Sequence, residues 1–492
     1  MARDSAADSR GGYLTVFLAL SLTIILSLVL TLIEGARLNA LRMQTELVTD
    51  VAMNSVLAEF HRELQRQYDL FFIDMSYGSG AASRENVEAH LLEYYDKNFE
   101  MDGISFFSDR RDLTRLKVTS LSIENTRMIC DENAQALREQ VLAYMSAEPV
   151  GEAAGEVLQL ISSYDGAGPD LTMWSRIRDE TAQALADHEL EDPGAAVESF
   201  RILPVLHQVF GDTSGLSGNT IAAGGTLSHR DPMRGNMGLP ENSHHYGRAD
   251  TVLFDEYLFE KCSRYGHELD KSRLKYQLEY ILFGESSDAG NLEKMAQHLL
   301  AVRLALNTAC LFADEAKKEE ARTLAAVLST ILLSPELTEI LAAAILLAWA
   351  YVESIYDLKV LFHNGRVPLV KDSSTWKTSI QNILIPAQVQ GGGSRQSSGQ
   401  GSGQESGQGS GQGSGGLSQG LSYENYLRIF LFLENGNMKN LRFMDMMEAD
   451  IRRTPGNEAF QIDGCMDAFS MHVTVGSGYG YSCEMHREIT YN

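Results

Sequence analysis

The chain contains little cysteine, with five residues in 492, and no two of them form a CxxC pair. This spacing excludes zinc-ribbon and thioredoxin-type motifs, and five cysteines are too few for a disulfide scaffold. Cys465 and Cys483 lie close enough along the chain to bridge a β-hairpin. The sequence favours the alternative, which is two buried and unpaired thiols.

Basic residues are also scarce. Lys and Arg number 41 against 66 Asp and Glu, which gives a formal charge of −25 at pH 7. Nucleic-acid binding needs basic side chains to neutralise phosphates, and docking on an anionic lipid surface needs them as well. We therefore expect no nucleic-acid partner, and we interpret the negative charge as a solubility feature.

Familiar catalytic motifs are missing from the chain. It has no P-loop, no HExxH pair of zinc ligands and no EF-hand run of acidic ligands. We therefore predict no catalytic residues, no metal site and no cofactor, and we expect that the protein is not an enzyme.

Two loop or strand clusters are weak candidates for chemistry. Adjacent histidines do not share a helix face, so a metal site around them depends on loop folding, and surface histidines are the simpler interpretation. The residues concerned are His229, Asp231, His244, His245 and Asp250. Separate solvated carboxylates are likewise favoured over a cluster near the end of the chain. Those residues are Asp463, Asp467 and Glu484.

A paired-carboxylate site is conceivable at Glu353 and Asp357, which are spaced i,i+4 beside an apolar run, with Lys359 close by. A helix that leaves the core for water explains the same pattern with fewer assumptions. We therefore predict no active site there.

A long apolar run follows a tail of residues 1–12. Tyr13 to Ile33 is 21 residues without a charge; at ~1.5 Å per residue it reaches ~31 Å, about one bilayer core. A secretory signal has ~7–15 apolar residues and a small-x-small cleavage site, whereas this run is longer and ends in a poor site. An uncleaved anchor is therefore favoured over a cleaved signal or a buried soluble helix. The predicted anchor residues are Tyr13, Phe17, Leu22, Ile25, Val29 and Ile33.

The orientation of this anchor is less well determined. Arg3 and Arg10 precede the run and Arg37 and Arg42 follow it, so the positive-inside rule gives a near tie. We expect a single-pass protein of the cell membrane whose body is extracytoplasmic, because a short tail is easily retained inside.

The segment 34–68 continues with helical periodicity and without proline. We predict one continuous helix from the membrane to Gln67, with an apolar face at spacings of three and four residues. The face either packs on the body of the protein or belongs to a stalk that bundles with copies or partners. Its residues are Leu41, Val48, Ala52, Val56, Phe60 and Leu64.

The rest of the chain divides into four regions. Residues 69–250 are a mixed α/β region with long loops, and 251–390 have strong helical periodicity. Within the latter, 340–352 is uncharged but reaches only ~20 Å, so a buried bundle helix is favoured over a second membrane segment. Residues 391–420 are Gly, Ser or Gln at 27 of 30 positions, which predicts disorder.

The last region, 421–492, combines a helix pair with a β-hairpin. "MHVTV" and "YSCEMHREITY" alternate around Gly476-Ser477-Gly478, and a terminal hairpin needs further strands, for which Leu116–Ile123 is the candidate. The predicted fold class is mainly α with a minor β part (α+β).

The stretch "GYLTVFLALSLTIILSLVLTLIEGARLNALRMQTELVTDVAMNSVLAEFHRELQRQYDLFFID" resembles an uncharacterised family of Firmicutes membrane proteins found at Tad (type IVb) pilus loci. Its layout is similar to that of TadE/TadG-like pseudopilins. "LLAWAYVESIYDLKVLF" and "LSYENYLRIFLFLEN" resemble the same family. Prepilin processing after Gly12 would need Glu at the fifth mature position, where this chain has Phe17.

The resemblance therefore implies a fixed, pseudopilin-like component of a Tad-like pilus or secretion apparatus, with other components of that apparatus as partners. An alternative is an anchored surface sensor or adhesin that binds through loops 211–250, where the turn-rich sequence predicts long loops. A third reading is an anchored hydrolase. The oligomeric state is left open.

Overall fold

The computed structural model describes residues 4–99, 115–147, 151–188, 203–238, 246–331, 334–380, 420–478 and 480–491. As predicted, the fold is mainly α with a minor antiparallel β part. The helices are α1 (Asp4–Leu57), α2 (Arg62–Tyr68), α3 (Arg84–Phe99), α4 (Gln135–Ala147), α5 (Gly151–Ala167), α6 (Met173–Ala186), α7 (Val205–Phe210), α8 (Arg248–Lys261), α9 (Gln277–Phe283), α10 (Asp288–Ala313), α11 (Glu315–Ile331), α12 (Thr338–Phe362), α13 (Tyr423–Leu433) and α14 (Gly436–Ile451). The strands are β1 (Ile73–Asp74), β2 (Leu116–Met128), β3 (Cys465–Ser477) and β4 (Ser482–Thr490).

The chain forms two compact units. The first unit consists of Met1–Gln140, Pro232–Ser243 and Thr454–Asn492, and it contains α1 and the sheet. The second consists of Val141–Asp231 and His244–Arg453, and it is helical.

Helix α1 ends earlier than its periodicity predicts. It stops at Leu57, and the backbone at His61 is extended, so the predicted continuous helix to Gln67 is wrong. The His61 N–H donates to the carbonyl of Phe72 (2.8 Å), and the Phe60 and Phe71 rings pack edge to face. The His61 side chain then caps α2 by accepting from the Leu64 N–H (3.3 Å). The first two contacts come from the segment that follows α2, so no proline or glycine is needed at the end of α1.

The sheet is built around β3. Strand β2 pairs with β3 along its whole length, while β4 and the short β1 pair with the other edge of β3, and all pairings are antiparallel. The predicted terminal hairpin and its pairing with Leu116–Ile123 are confirmed. Strand β2 runs beyond this candidate segment to Met128, and α4 begins at Gln135.

All five cysteines carry free thiols, so the hairpin disulfide does not form. Cys465 lies opposite Asp74 on β1, whereas Cys483 lies opposite Val475 on β3. Ten residues of extended strand separate the two positions, which is ~33 Å at ~3.3 Å per residue. This distance is far beyond the reach of a disulfide.

The core of the first unit contains the apolar face predicted on α1. The side chains of Leu41, Val48, Ala52 and Val56 are buried against α3 and the sheet. The Tyr95 hydroxyl of α3 also donates to the Thr49 hydroxyl on the same face (2.8 Å). This face therefore packs on the body of the protein, which is the first of the two alternatives that the sequence left open. Leu64 is buried in α2, and Phe60 is half-buried in the connection.

This arrangement predicts unequal effects for one substitution at two positions of α1. Leu41 is 2% exposed and Leu47 is 62% exposed. Leu41→Ala is expected to lower the free energy of unfolding by about 2–4 kcal/mol, because it removes buried methyl groups and leaves a cavity. The matched control Leu47→Ala should change it by less than about 0.5 kcal/mol. Urea unfolding of the full chain in detergent measures both, and equal losses would contradict the assigned faces.

The second unit contains the predicted helical segments. The helical periodicity of 251–390 is confirmed as far as Phe362 by α8 to α12, and the helix pair predicted after residue 421 is confirmed as α13 and α14. The predicted loops 211–250 are described in part and contain two short 3₁₀ turns, Ala223–Gly225 and Leu227–His229. Helices α10 and α12 pack against each other in the centre of this unit. The predicted disordered insert, 391–420, lies outside the described residues except for Gly420.

Candidate functional site

The apolar segment of α1 has the properties of a membrane-spanning helix. All of its large apolar side chains are exposed, from 44% at Val29 to 79% at Tyr13. Hydroxyls within it bond to the helix backbone, for example Thr23 to the carbonyl of Ala19 (2.7 Å). A lipid environment requires this internal satisfaction of polar groups. The predicted anchor residues all lie on this exposed segment: Tyr13, Phe17, Leu22, Ile25, Val29 and Ile33.

Two further helices are long and apolar enough to cross a membrane by length and composition. They are Asp288–Ala313 and Pro335–Phe362, and about two thirds of each apolar stretch is buried inside the protein, against none for the stretch in α1. Residues 340–352 lie in α12, where their side chains are mostly buried. The structure thus buries this segment among the helices of the second unit, in agreement with the predicted buried bundle helix.

A buried charge cluster joins α10 and α12. It consists of Arg303, Glu353, Asp357 and Lys371, each at most 6% exposed. The Arg303 Nε donates to an Asp357 oxygen (2.9 Å), and the Lys371 ammonium bonds both carboxylates. Two positive and two negative charges therefore balance one another without water. The expectation that α12 emerges into water at Glu353 and Asp357 is wrong, and Lys359 is exposed and takes no part.

The cluster also fixes an irregular segment, residues 366–380, which we call the strap. Arg303 donates to the carbonyls of Pro368 and Leu369 (3.0 Å each). The Glu353 carboxylate accepts from the backbone N–H and the hydroxyl of Thr378 (2.8 and 2.6 Å). Arg303 and Glu353 therefore bond directly to the strap. Lys371 is part of the strap, and Asp357 bonds to Lys371.

The ionisation of the cluster is consistent with a structural role. Burial alone raises the pKa of Glu353, but hydrogen bonds from Lys371 and Thr378 outweigh burial and hold that pKa below its ordinary value. Burial lowers the pKa of Arg303, but the neighbouring Tyr426 and Asp357 outweigh burial, and the net effect is a raised pKa. Both shifts favour the charged forms of Glu353 and Arg303 in the buried cluster.

The spacing of Glu353 and Asp357 was the one signal for this cluster that the sequence analysis used. Arg303 lies within an apolar helix and Lys371 follows the run "VPLV", so nothing local connects either residue to the two acids. A charged residue in the middle of an apolar helix is the signal that could have identified Arg303.

A second buried acid lies on α9. Glu279 is fully buried, and one of its oxygens accepts from the Tyr423 hydroxyl (2.6 Å) and the Tyr265 N–H (3.0 Å). The other oxygen has no hydrogen-bond partner among the described residues. Burial raises the pKa of Glu279 to about 7.

This raised pKa predicts a pH-dependent stability. The folded-state pKa of Glu279 lies above its ordinary value of 4.5. The contribution of the protonated Glu279 to the free energy of unfolding is therefore fully present below about pH 4.5 and is lost as pH rises through about 7. The loss is about 3 kcal/mol, at 1.36 kcal/mol per pKa unit.

Glu279→Gln keeps the accepting oxygen and removes the charge. We expect the variant to exceed the parent in free energy of unfolding at pH 8 and to approach it at pH 5. A constant difference across urea titrations from pH 5 to 8 would contradict this.

The two clusters that the sequence analysis considered and did not favour are also not assembled among the described residues. Asp250 caps α8 by accepting from the Gly247 N–H (2.8 Å), His229 contacts Thr226 and Ser228, and Asp231 is exposed. His244 and His245 lie outside the described residues. Within the described ranges, no three His, Cys, Asp or Glu side chains are placed to hold a metal ion.

The three acidic residues near the chain end also have separate surroundings. Asp463 accepts from the Met233 N–H (3.0 Å), and Asp467 pairs with Arg127 (2.9 Å). Glu484 is exposed on the edge strand β4. They therefore form no carboxylate cluster, but the expectation that all three are solvated is wrong, because Asp463 and Asp467 are buried.

The loop preceding residue 232 is held against α14. The Ser228 hydroxyl and N–H both bond Asp445, and the Arg230 guanidinium makes two bonds to Glu448 (2.9 and 2.7 Å). This part of the predicted binding loops therefore has a defined conformation.

A sequence model of a family of unknown function (DUF5702) matches residues 184–477, which is more than half of the chain. The matched region contains the buried charge cluster and Glu279, and it does not include α1. No curated protein and no solved structure matches the chain.

Proposed function

The chain belongs to this family of unknown function, and from its own geometry we propose a single-pass, membrane-anchored structural component that acts through protein–protein contacts. The observation that carries the proposal is the apolar segment of α1, Tyr13 to Ile33. It is exposed on every side and passes without a break into a helix whose next turns are built into a folded core. Burying those apolar side chains in lipid removes their contact with water, which is the main driving force for insertion.

The bilayer is therefore the first partner, through residues 13–33. The helices Asp288–Ala313 and Pro335–Phe362 remain in the helical unit under this proposal. The buried charged side chains Arg303, Glu353 and Asp357 pair with each other and with Lys371 of the strap, and about two thirds of each apolar stretch is already buried in protein. One span is enough to anchor the chain.

We propose no enzymatic activity and no cofactor. Two groups of buried ionisable residues are engaged in structural pairs: Arg303, Glu353, Asp357 and Lys371 in one cluster, and Asp467 with Arg127 in another. An active site needs such groups to face a substrate, and these face each other. The buried Glu279 is outside these pairs, and its hydrogen bonds come from the Tyr423 hydroxyl and the Tyr265 N–H.

The proposed setting is a Tad-like pilus or secretion apparatus, with the body outside the cytoplasm and other components of the apparatus as partners. The support is the resemblance of the N-terminal stretch to pseudopilin-like membrane proteins of such loci. Phe17, at the position where a processed pilin has Glu, favours a fixed component over a polymerised subunit.

A surface sensor or adhesin is the second candidate. Loop residues 213–218 border an open depression with α7 and the start of α10, lined in part by the apolar side chains of Leu203, Leu206 and Leu216. A peptide or small ligand of apolar character fits this surface better than an anionic one, given the charge of −25.

Alkaline extraction of membranes tests the anchor. Membranes from cells that produce the full chain are washed at high pH, which strips peripheral proteins. We expect the chain to remain in the pellet, and its complete release would contradict the proposal. Protease added to cells without their wall then tests orientation: digestion of the body is expected, and full protection would refute an extracytoplasmic location.

Cross-linking in the native bacterium separates the two candidate functions. Mass spectrometry of products linked to the full chain should recover components of a pilus or secretion apparatus. Recovery of none of these, with a ligand bound at loops 211–250 instead, would favour the sensor or adhesin.

A further inference from the structure

Helix α1 has a second apolar face, which lies opposite the buried one. Beyond the membrane segment, Ala36, Ala40, Met43 and Leu47 are all exposed, Met43 by 70% and Leu47 by 62%. The buried positions of the same turns, such as Leu41, Thr45 and Val48, point into the core of the first unit. The helix is thus covered on one side by its own chain and is apolar on the other.

The exposed face follows the spacing of a coiled coil. Steps of four and three residues alternate without exception along eight apolar positions, which is the heptad repeat of a left-handed helix pair. We call these positions the seam. They are Leu22, Leu26, Val29, Ile33, Ala36, Ala40, Met43 and Leu47.

The bilayer cannot cover the outer part of the seam. Met43 and Leu47 lie 10 and 14 residues beyond Ile33, which is ~15 and ~21 Å along the helix axis. The headgroup layer is only ~5–8 Å thick on each side of the apolar core. No described residue of the chain covers these side chains either. A protein partner is the remaining way to remove them from water.

We propose that a second copy of this chain packs against the seam as a parallel helix pair. The inference rests on the proposed membrane anchoring, because two anchored copies share one orientation and one depth. Identical seam positions then meet at the same height, which is the arrangement that a heptad repeat requires of a parallel dimer.

The residues beside the seam are compatible with pairing. In a parallel dimer Asn39 faces Gln44 of the partner copy, so neutral amides meet there and like charges do not. The Arg42–Glu46 ion pair lies within one helix (3.0 Å). The next seam position after Leu47 is Asp50, where two carboxylates would repel. The paired segment therefore ends near Leu47.

The outer part of the seam is too short to pair alone. It contains four positions, and two of them are alanine, so it buries little apolar area. Confinement of both copies to one membrane supplies the high effective concentration that such a weak contact needs. We therefore expect the pair in membranes and its dissociation on dilution in detergent.

Disulfide cross-linking in membranes tests the pair. The full chain carries Met43→Cys in the seam or, as the matched control, Leu38→Cys on the exposed flank away from it. Copper-phenanthroline is added to membranes, and the native chain gives the background from its own thiols. Facing seam positions lie within disulfide range, so we expect at least about fivefold more covalent dimer for Met43→Cys than for Leu38→Cys. Equal yields would overturn the proposal.

A second variant separates failure of the pair from failure of the anchor. Met43→Arg places like charges across the seam, outside the membrane segment. Combined with Leu47→Cys, it should lower cross-linking at least about fivefold relative to Leu47→Cys alone, while the chain remains in the alkaline pellet. Release from the pellet would refute anchoring. Retention with unchanged cross-linking would refute the seam alone.

Discussion

Replacing Arg303 with methionine is expected to lower the free energy of unfolding by about 3–5 kcal/mol. The substitution removes one of the two positive charges of the cluster, so Lys371 alone remains to balance the carboxylates of Glu353 and Asp357. It also removes the donor to the Pro368 and Leu369 carbonyls. One buried negative charge is then uncompensated and carries the cost of desolvation, whereas the contribution of a balanced buried pair is modest. Urea unfolding of the full chain in detergent, followed by tryptophan fluorescence, measures the change.

The control for this prediction is the same substitution in an exposed ion pair. Arg322 on α11 contacts Glu339 at the surface (3.2 Å), and Arg322→Met should cost at most about 1 kcal/mol.

The double variant Arg303→Met with Asp357→Leu removes one charge of each sign and leaves Lys371 paired with Glu353. It should therefore be more stable than Arg303→Met alone. A double variant that is less stable than the single one would show that the cluster does not act through charge balance.

Two arginines in the centre of the apolar segment should release the chain from the membrane. Leu22→Arg with Ile25→Arg places two charges near the middle of Tyr13–Ile33, at about 2.5–3.5 kcal/mol each for insertion. The variant should move to the soluble fraction or fail to accumulate, whereas the native chain stays in the alkaline pellet.

The matched control places two arginines on the same helix beyond the span. Met43→Arg with Leu47→Arg should keep the chain in the pellet, because both side chains already lie in water in a single copy. If both double variants are released equally, insertion of residues 13–33 does not hold the chain in the membrane.

The sequence predicted those elements whose signals are local. The anchor follows from an uncharged run, and the terminal hairpin from alternation around a Gly-rich turn. The pairing of Leu116–Ile123 with that hairpin followed because a hairpin alone has too few partners. Each of these predictions uses a pattern within about twenty residues.

The residues that sequence reasoning missed are held by distant parts of the chain. The partner of Asp357 is Arg303 on another helix. The helix break at His61 is nearer in sequence, but it depends on the chain turning back after α2 so that Phe72 can accept from the His61 N–H. The periodicity of α1 identified Leu41 and Val48 as one apolar face, but a pattern of spacings does not say which side meets the core. The second face, with Met43 and Leu47, became significant only when the first was found buried.

Site-directed spin labelling tests the membrane anchor most directly. Labels at Ile24→Cys, which lies off the seam, and Asn39→Cys are compared in the full chain in lipid vesicles, with the half-buried Cys310 and Cys483 replaced by serine. The label at position 24 should collide readily with dissolved oxygen and rarely with a water-soluble nickel chelate, and the label at position 39 should show the reverse. Equal and high access of the nickel chelate to both positions would contradict a membrane-spanning segment at 13–33.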